Sequence, residues 1–313
     1  MRFFSLILVN VVLIPVYAFF FLISFVVTFL PIFPSRVALQ NLRARLGCGF
    51  FSAHFMAAKT LFHYFLYLVE IVVVWPLGIT QAANTAETAL WLRERIQKYR
   101  SRETGLGFVF LAPHFGSIEV VGQGIGRMLQ DELGKGVVAL AQPSRAPGAT
   151  FLAAWYRKRR GIETVLTSSR ELLKTLAEVG VSGHTIGLLV DQKPRRGGVF
   201  IPFFGEPAAF PHRGLGVMVE SGVPVLFAAA VRVFPGYFRY VYSDASNSHV
   251  SGSGQASTVS HEGVGVPDAV HPSTVSLLVE FSRWLEAEIA KNPSQWCWDY
   301  RKWSRKMPAN GND

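Results

Sequence analysis

Hydrophobic and polar positions divide the chain into an apolar front and an alternating body. Residues 3 to 35 carry no charged side chain and are nearly all hydrocarbon. A helix crosses a bilayer core with about 20 apolar residues, so this run predicts a tilted span, or a span that then lies along the interface. Pro15 is placed to kink it, and Pro31 and Pro34 to stop it. A cleaved signal peptide fits less well. Its apolar region would be shorter, and here apolar residues continue well past the small-residue site near Ala18. Residues 37 to 75 also read as helical and are too apolar for a solvated surface. Pro76-Leu77-Gly78 ends the stretch, which predicts an interfacial layer. An amphipathic helix follows over about 84 to 99, capped at Asn84 or Thr85.

From about residue 105 short apolar runs alternate with helical patterns. GLGFVFLAP, GVVALAQ, HTIGLLVDQ and PVLFAAAVRVF read as strands, and SIEVVGQGIGRMLQDEL, TFLAAWYRKR, SRELLKTLAEV and RGLGVMVES as helices. Pro235-Gly236 turns the last strand back into FRYVYSD, a hairpin. This order predicts an α/β fold, a mainly parallel sheet flanked by helices and preceded by an N-terminal transmembrane helix. The expected organisation is a membrane anchor at 1–35, a helical membrane-associated region at 36–103 and an α/β catalytic domain at 104–306. Within the last, the Ser/Gly-rich stretch 244–272 reads as a flexible insertion, and 307–313 as a disordered tail.

Charge sharpens the partner. Lys and Arg number 31 against 21 Asp and Glu, a surplus of +10, yet only 17% of residues are charged. Nucleic-acid binders are charge-rich, so a basic but apolar chain points to an anionic membrane and not to nucleic acid. Arg36, Arg43 and Arg45 follow the apolar run, while only Arg2 and the amino terminus precede it. The positive-inside rule then places the body in the cytoplasm. Cys48 and Cys297 are the only cysteines and lie far apart, which excludes a disulfide framework and a structural zinc site. The tail QWCWDYRKWSRK, rich in tryptophan and basic residues, reads as a membrane-surface element.

Motif elimination narrows the chemistry. GxSxG, GxxxxGK[ST] and HExxH are absent, and Gly122-Gln-Gly-Ile-Gly126 sits in a helix pattern, where close packing is its meaning. The local signal is residues 112 to 119, APHFGSIE, in which a buried strand ends and a helix begins. His114 then stands at the carboxyl edge of the sheet, where α/β sheets place ligands. Glu119 follows five residues later, within reach of the imidazole, a dyad suited to deprotonating a hydroxyl. The alternative is a capping histidine and a glutamate favoured in a first turn by the helix dipole. Arg232, inside an apolar strand, is expected to pair with a buried acid.

His114-x4-Glu119 resembles the HX4(D/E) signature of glycerolipid acyltransferases, and blocks around it resemble the lipid A late acyltransferases. They are NLRARLG at 41–47, RKRRG at 157–161, DQK at 191–193, GGVFIPFFGEP after it, SGVPV at 221–225 and QWCWDYRKW at 295–303, in the family's order. Three features depart from that pattern: EPAAFPHRGLG lacks a threonine-rich stretch, Asp299-Tyr300 stands where a histidine is frequent, and the 244–272 insertion is unusual. The resemblance implies a glycerolipid acyltransferase-like fold, with a fatty acyl chain moving from an acyl thioester to a lipid A precursor hydroxyl at the cytoplasmic side of the cell inner membrane. The thioester is already activated, so no cofactor or metal is implied. Its donor would be acyl carrier protein or acyl-CoA, and its acceptor an anionic glycolipid. The roles it implies are His114 as general base and Glu119 as its orienting carboxylate. Arg157 and Arg159 would contact acceptor phosphate or the oxyanion, or else form a headgroup-facing basic patch. Asp191 and Gln192 would bind substrate at the same sheet edge, or else close a loop. Lys193, Arg195 and Arg196 would form a basic rim. The same chemistry on a phosphatidylinositol mannoside, lysophospholipid or aminolipid stays open, as does a non-catalytic membrane-anchored binding protein.

Overall fold

The computed structural model describes residues 1–30, 32–100, 107–141, most of 154–166, scattered positions from 171 to 179, 184–194, 197–220, 222–246 and 270–303. The 244–272 insertion beyond 246, Arg195, Arg196 and the tail from 304 therefore lie outside the described residues, apart from 270–272.

The apolar run folds as α1 (Arg2–Val27), with Pro15 inside it. Its most apolar window has a mean hydropathy of 2.7 and is 6% buried, so the helix presents its side chains outward and is long and apolar enough to span a bilayer. The stretch expected to be helical from 37 to 75 is helical but divided. The chain forms α2 (Phe33–Leu46), stops at Gly47 with φ 63°, and restarts as α3 (Phe50–Val69), which runs into a π-helical turn at Glu70–Val74. A glycine in the left-handed region ends a helix without a Cβ penalty, which the apolar pattern alone does not reveal. The second apolar window, Phe50–Val74, is 39% buried and packs on α1, with Phe20 stacked on Phe65 at 3.7 Å between centroids. Asn10 of α1 donates to the Pro235 carbonyl at 3.0 Å, joining the apolar helix to the body of the molecule.

That body is built on a seven-stranded sheet. In chain order its strands are β1 (Gln81–Ala82), β2 (Val109–Ala112), β3 (Val137–Ala141), β4 (Glu163–Leu166), β5 (Thr185–Leu189), β8 (Val225–Phe234) and β9 (Tyr237–Asp244), and in space they run β1-β9-β8-β2-β5-β3-β4. All neighbours are parallel except the β8–β9 hairpin. A separate antiparallel pair, β6 (Val199–Phe203) and β7 (Glu206–Phe210), carries the Phe-Phe-Gly block. Among the described residues, the uninterrupted helices of the body are α4 (Thr85–Arg100), α5 (Ile118–Leu133), α6 (Arg213–Glu220) and α7 (Pro272–Lys291), and Arg157–Arg159 are also helical.

Strand alternation feeds two cores. Val109 and Leu111 of β2, with Val225, Phe227, Ala229 and Val231 of β8, face one side and meet α6, α7 and the small residues Ala53 and Ala57 of α3. Phe110 of β2, with Leu226, Ala228 and Ala230 of β8, faces the other and meets α4 and α5. A sheet covered on both faces explains why these strands read as nearly continuous apolar runs. Arg232, at the end of β8, forms the expected buried pair: its Nε and Nη2 donate to Glu70 Oε1 and Oε2 at 2.6 and 2.7 Å.

Candidate active site

The site begins with strand register. β2 and β5 are adjacent and parallel, and their last aligned pair is Ala112 with Leu189. His114 and Asp191 each stand two residues beyond it, so the two strand ends deliver them side by side. Gly116, with φ 66°, turns the chain from β2 into α5. A Cβ there would also collide with the Ala230 carbonyl oxygen, so both the backbone angle and the close approach require glycine. Ser117 N–H donates to that carbonyl at 2.9 Å, and Gly116 N–H to the Gln295 carbonyl at 3.0 Å. The turn that carries His114 is thereby pinned from both sides.

Asp191 is the carboxylate on the imidazole. Its Oδ1 accepts from His114 Nδ1 at 2.7 Å, and its Oδ2 from the His114 backbone N–H at 2.8 Å and from Trp296 Nε1 at 3.1 Å. Because Nδ1 faces a carboxylate it carries the ring proton, and Nε2 is the basic nitrogen. Asp191 is 2% exposed. Burial raises its proton affinity, but the charge and hydrogen bonds of His114, with the charge of Lys302, hold it below the usual carboxylate range. For His114, burial pulls the value down, yet the charge and hydrogen bond of Asp191 outweigh it and leave the imidazole above the ordinary histidine value.

Glu119, expected to orient the imidazole, takes a different partner. It lies in the first turn of α5, 6% exposed, and accepts from Arg157 Nε at 2.9 and 3.1 Å and from Arg157 Nη2 at 2.7 Å. The planar guanidinium fits a carboxylate with two parallel hydrogen bonds, an arrangement stronger than one neutral contact. Five residues of spacing bring Glu119 to the same cavity as His114, but the neighbouring strand supplies the imidazole's partner.

A cavity of about 1060 Å³ opens at this edge. Its apolar part lies between the sheet and α5, lined by Phe110, Val121, Gly122, Ile125, Val137 and Ile162, and its polar part by His114, Glu119, Arg157, Gln192, Lys193 and Arg213. Gln192 is therefore on the cavity wall as expected. Arg159 is exposed and lies over the exposed Trp155 ring at 4.3 Å, outside the cavity lining.

The carboxyl-terminal block does something its composition did not suggest. Trp296 and Trp298 are 2% and 0% exposed, so they are not surface tryptophans. They pack on Phe203 and Phe204 of the β6–β7 pair, Trp296 holds Asp191, and Tyr300 donates to the Lys193 carbonyl at 2.9 Å. Alternating aromatic and basic residues resemble an interfacial anchor until a strand pair is present to bury them. The signal available in the sequence was the pair Trp296 and Trp298 beside Cys297, whose Sγ–H donates to the His114 carbonyl at 3.3 Å. Among the described residues no group of histidine, cysteine and carboxylate ligands is arranged to hold a metal.

A basic nitrogen presented at the carboxyl edge of a parallel sheet, on the wall of a half-apolar cavity, can take a proton from a hydroxyl held there. The chain belongs to the bacterial lipid A biosynthesis acyltransferase family, whose profile matches residues 4–305. Among curated proteins none matches it. Membership makes the protein an acyltransferase acting on a lipid A-like acceptor at a membrane, and the blocks from Asn41 to Trp303 fall within the matched span.

Proposed function

We propose that the protein transfers a fatty acyl chain from acyl carrier protein to a hydroxyl of a lipid A precursor, at the cytoplasmic face of the inner membrane. The observation that carries this reading is His114, with Nδ1 tied to Asp191 and the ring lining the cavity. His114 Nε2 takes the acceptor hydroxyl proton as the oxygen attacks the thioester carbonyl. The tetrahedral intermediate then expels the thiolate, the C–S bond breaks, and the imidazolium returns the proton to sulfur. Asp191 stabilises the imidazolium, as its charge and short hydrogen bond favour the protonated ring. The apolar cavity wall takes the acyl chain. Arg157, fixed by Glu119 on the cavity wall, supplies a cation for a developing oxyanion or an acceptor phosphate, and Gln192 adds a polar contact. Lys193 and Arg213 at the cavity suit an acidic carrier, and the exposed Lys158 and Arg159 suit anionic headgroups. Arg36, Arg43 and Arg45 after α1 support the cytoplasmic side.

Mass spectrometry of membrane lipids from cells with wild-type protein and with His114→Ala tests the reading. Loss of one acyl chain from lipid A in the variant supports it. A change confined to another glycolipid moves the acceptor, and an unchanged lipid profile removes His114 from the chemistry.

A further inference from the structure

Two blocks from opposite ends of the chain meet beside the active site. Asn41, in the NLRARLG block, stands on α2 next to Leu42, which is 0% exposed in the core. Its Nδ2 donates to the Trp298 carbonyl at 2.7 Å and to the Tyr300 carbonyl at 3.0 Å. Arg45, one helical turn further on, lies over the Trp303 ring at 4.9 Å and pairs with Glu206 at 3.3 Å. From α3, His63 Nε2 lies 3.2 Å from Ser294 Oγ, and the Tyr64 hydroxyl donates to Asp299 Oδ1 at 2.6 Å. Helices α2 and α3 thus grip one side of the segment from Ser294 to Trp303.

The other side of that segment rests on the two strand ends that carry His114 and Asp191. The Gln295 carbonyl accepts from Gly116 N–H at 3.0 Å, and Trp296 Nε1 donates to Asp191 Oδ2 at 3.1 Å. Cys297 Sγ–H donates to the His114 carbonyl at 3.3 Å, and the Tyr300 hydroxyl to the Lys193 carbonyl at 2.9 Å. Four of six consecutive residues therefore bond the chain on either side of the imidazole and its carboxylate. After the 3₁₀ turn at Pro293–Gln295, residues 296–303 make isolated bridges and no strand ladder. Backbone carbonyls outside a ladder take donors from side chains, and the Asn41 amide serves two of them at once.

We propose that Asn41 is a positioning residue for the acyl transfer: it clasps the terminal segment against the ends of β2 and β5 and so fixes where His114 and Asp191 stand at the cavity. The inference rests on the reading of His114 as general base. Asn41 is not among the residues that line the cavity, and it acts through the segment it holds. The turn at Gly116 is bonded to Ala230 on one side and to Gln295 on the other, so a segment that shifts takes the turn with it. A reacting group misplaced by about 1 Å can cost about 10²-fold in rate. Loosening the clasp therefore lowers kcat, while the cavity walls that bind substrate keep their residues. A merely structural clasp would lower stability and leave turnover per folded molecule unchanged.

The test uses the full chain in detergent micelles, with the dodecanoyl thioester of acyl carrier protein and a lipid A precursor. It compares wild type with Asn41→Leu, Asn41→Gln and Tyr64→Phe. Leucine keeps a branched side chain and removes both donors, glutamine keeps the amide, and phenylalanine deletes only the bond to Asp299. Two readouts are taken per folded molecule: kcat and KM, and the rate at which diethyl pyrocarbonate modifies His114, which reports on the imidazole without turnover. Asn41→Leu is expected to lower kcat by about 10- to 100-fold with KM within about threefold, and to speed His114 modification. Asn41→Gln should recover most of both. Tyr64→Phe should move both the same way by a smaller factor, about two- to fivefold. Wild-type kcat in folded Asn41→Leu, a loss expressed in KM alone, or a loss that glutamine does not relieve would overturn the proposal. If Asn41→Leu does not fold, Tyr64→Phe decides, and wild-type values of both readouts there would overturn it. If wild type shows no His114-dependent transfer, the acyl-transfer reading fails, and the modification rates still decide whether Asn41 fixes the histidine.

Discussion

Two buried carboxylates in this molecule look alike and sit in opposite surroundings. Glu70, at the end of α3, is 0% exposed and bound to Arg232, whose Nη1 lies 2.8 Å from His63 Nδ1. Asp191 is buried almost as deeply and bound to His114. Each pair joins distant parts of the chain. The difference is access. Arg232 has 2% of its side chain exposed, and Glu70 also accepts from the Gly236 backbone N–H at 3.1 Å, so that pair is sealed between α3 and the β8–β9 hairpin. The His114 side chain is 25% exposed and lines the cavity. A buried ion pair is thus no sign of chemistry; one partner must be a group that titrates and must meet the substrate.

The comparison breaks most sharply at the two pairs themselves. His114→Ala is expected to lower transfer by roughly 10² to 10⁴-fold while thermal unfolding in detergent stays near wild type, because the proton acceptor is lost and the cavity wall is not. An unfolding midpoint that drops along with activity would place His114 among the structural residues. Glu70→Ala should do the reverse: it leaves the Arg232 guanidinium buried and unpaired, costing roughly 3–5 kcal/mol of stability. Turnover per folded molecule should stay close to wild type, and a large kcat loss at full folding would show that the sealed pair reaches the chemistry.

Smaller changes sharpen the contrast. Asp191→Asn removes a charged hydrogen-bond partner of Nδ1–H, worth roughly 1.5–3 kcal/mol, or about 10 to 150-fold in kcat/KM. It should also move the acidic limb to lower pH. Asp191 holds the His114 value up; if His114 is the proposed base, active only when unprotonated, activity should be lost as pH falls through the His114 value. An acidic limb that moves up in Asp191→Asn would contradict this sign. Trp296→Phe deletes one donor to Asp191 and keeps the ring packing, so a loss of about 1 kcal/mol, near fivefold in kcat/KM, is expected. No measurable change would mean that the two His114 donors alone hold the carboxylate.

Much of this was legible in the residues. The alternation after residue 105 announced the mainly parallel sheet, because strands covered on both faces must be apolar throughout, and within GLGFVFLAP residues Val109–Ala112 form β2 between two cores. His114 at the sheet edge followed from a strand ending just before a helix. Arg232 as a partner of a buried acid followed from the cost of a cation in an apolar strand. The division of the second apolar stretch was not legible, since Gly47 ends α2 through its backbone angle and hydropathy does not record angles. The terminal tryptophans were misplaced on the surface because only the β6–β7 pair, far away in sequence, buries them.

The sequence by itself determined the apolar helix, the alternating α/β body, the family blocks and the histidine at the edge of a strand, all of which rest on local periodicity, turn chemistry and short-range motif. Tertiary structure alone decided the partners. Glu119 is the near carboxylate along the chain, but strand order sets β5 beside β2, and the shared register carries Asp191 to His114 across 77 residues of sequence. Spacing measures distance along the chain, whereas electrostatic and hydrogen-bond partners are chosen by which strand ends lie next to each other.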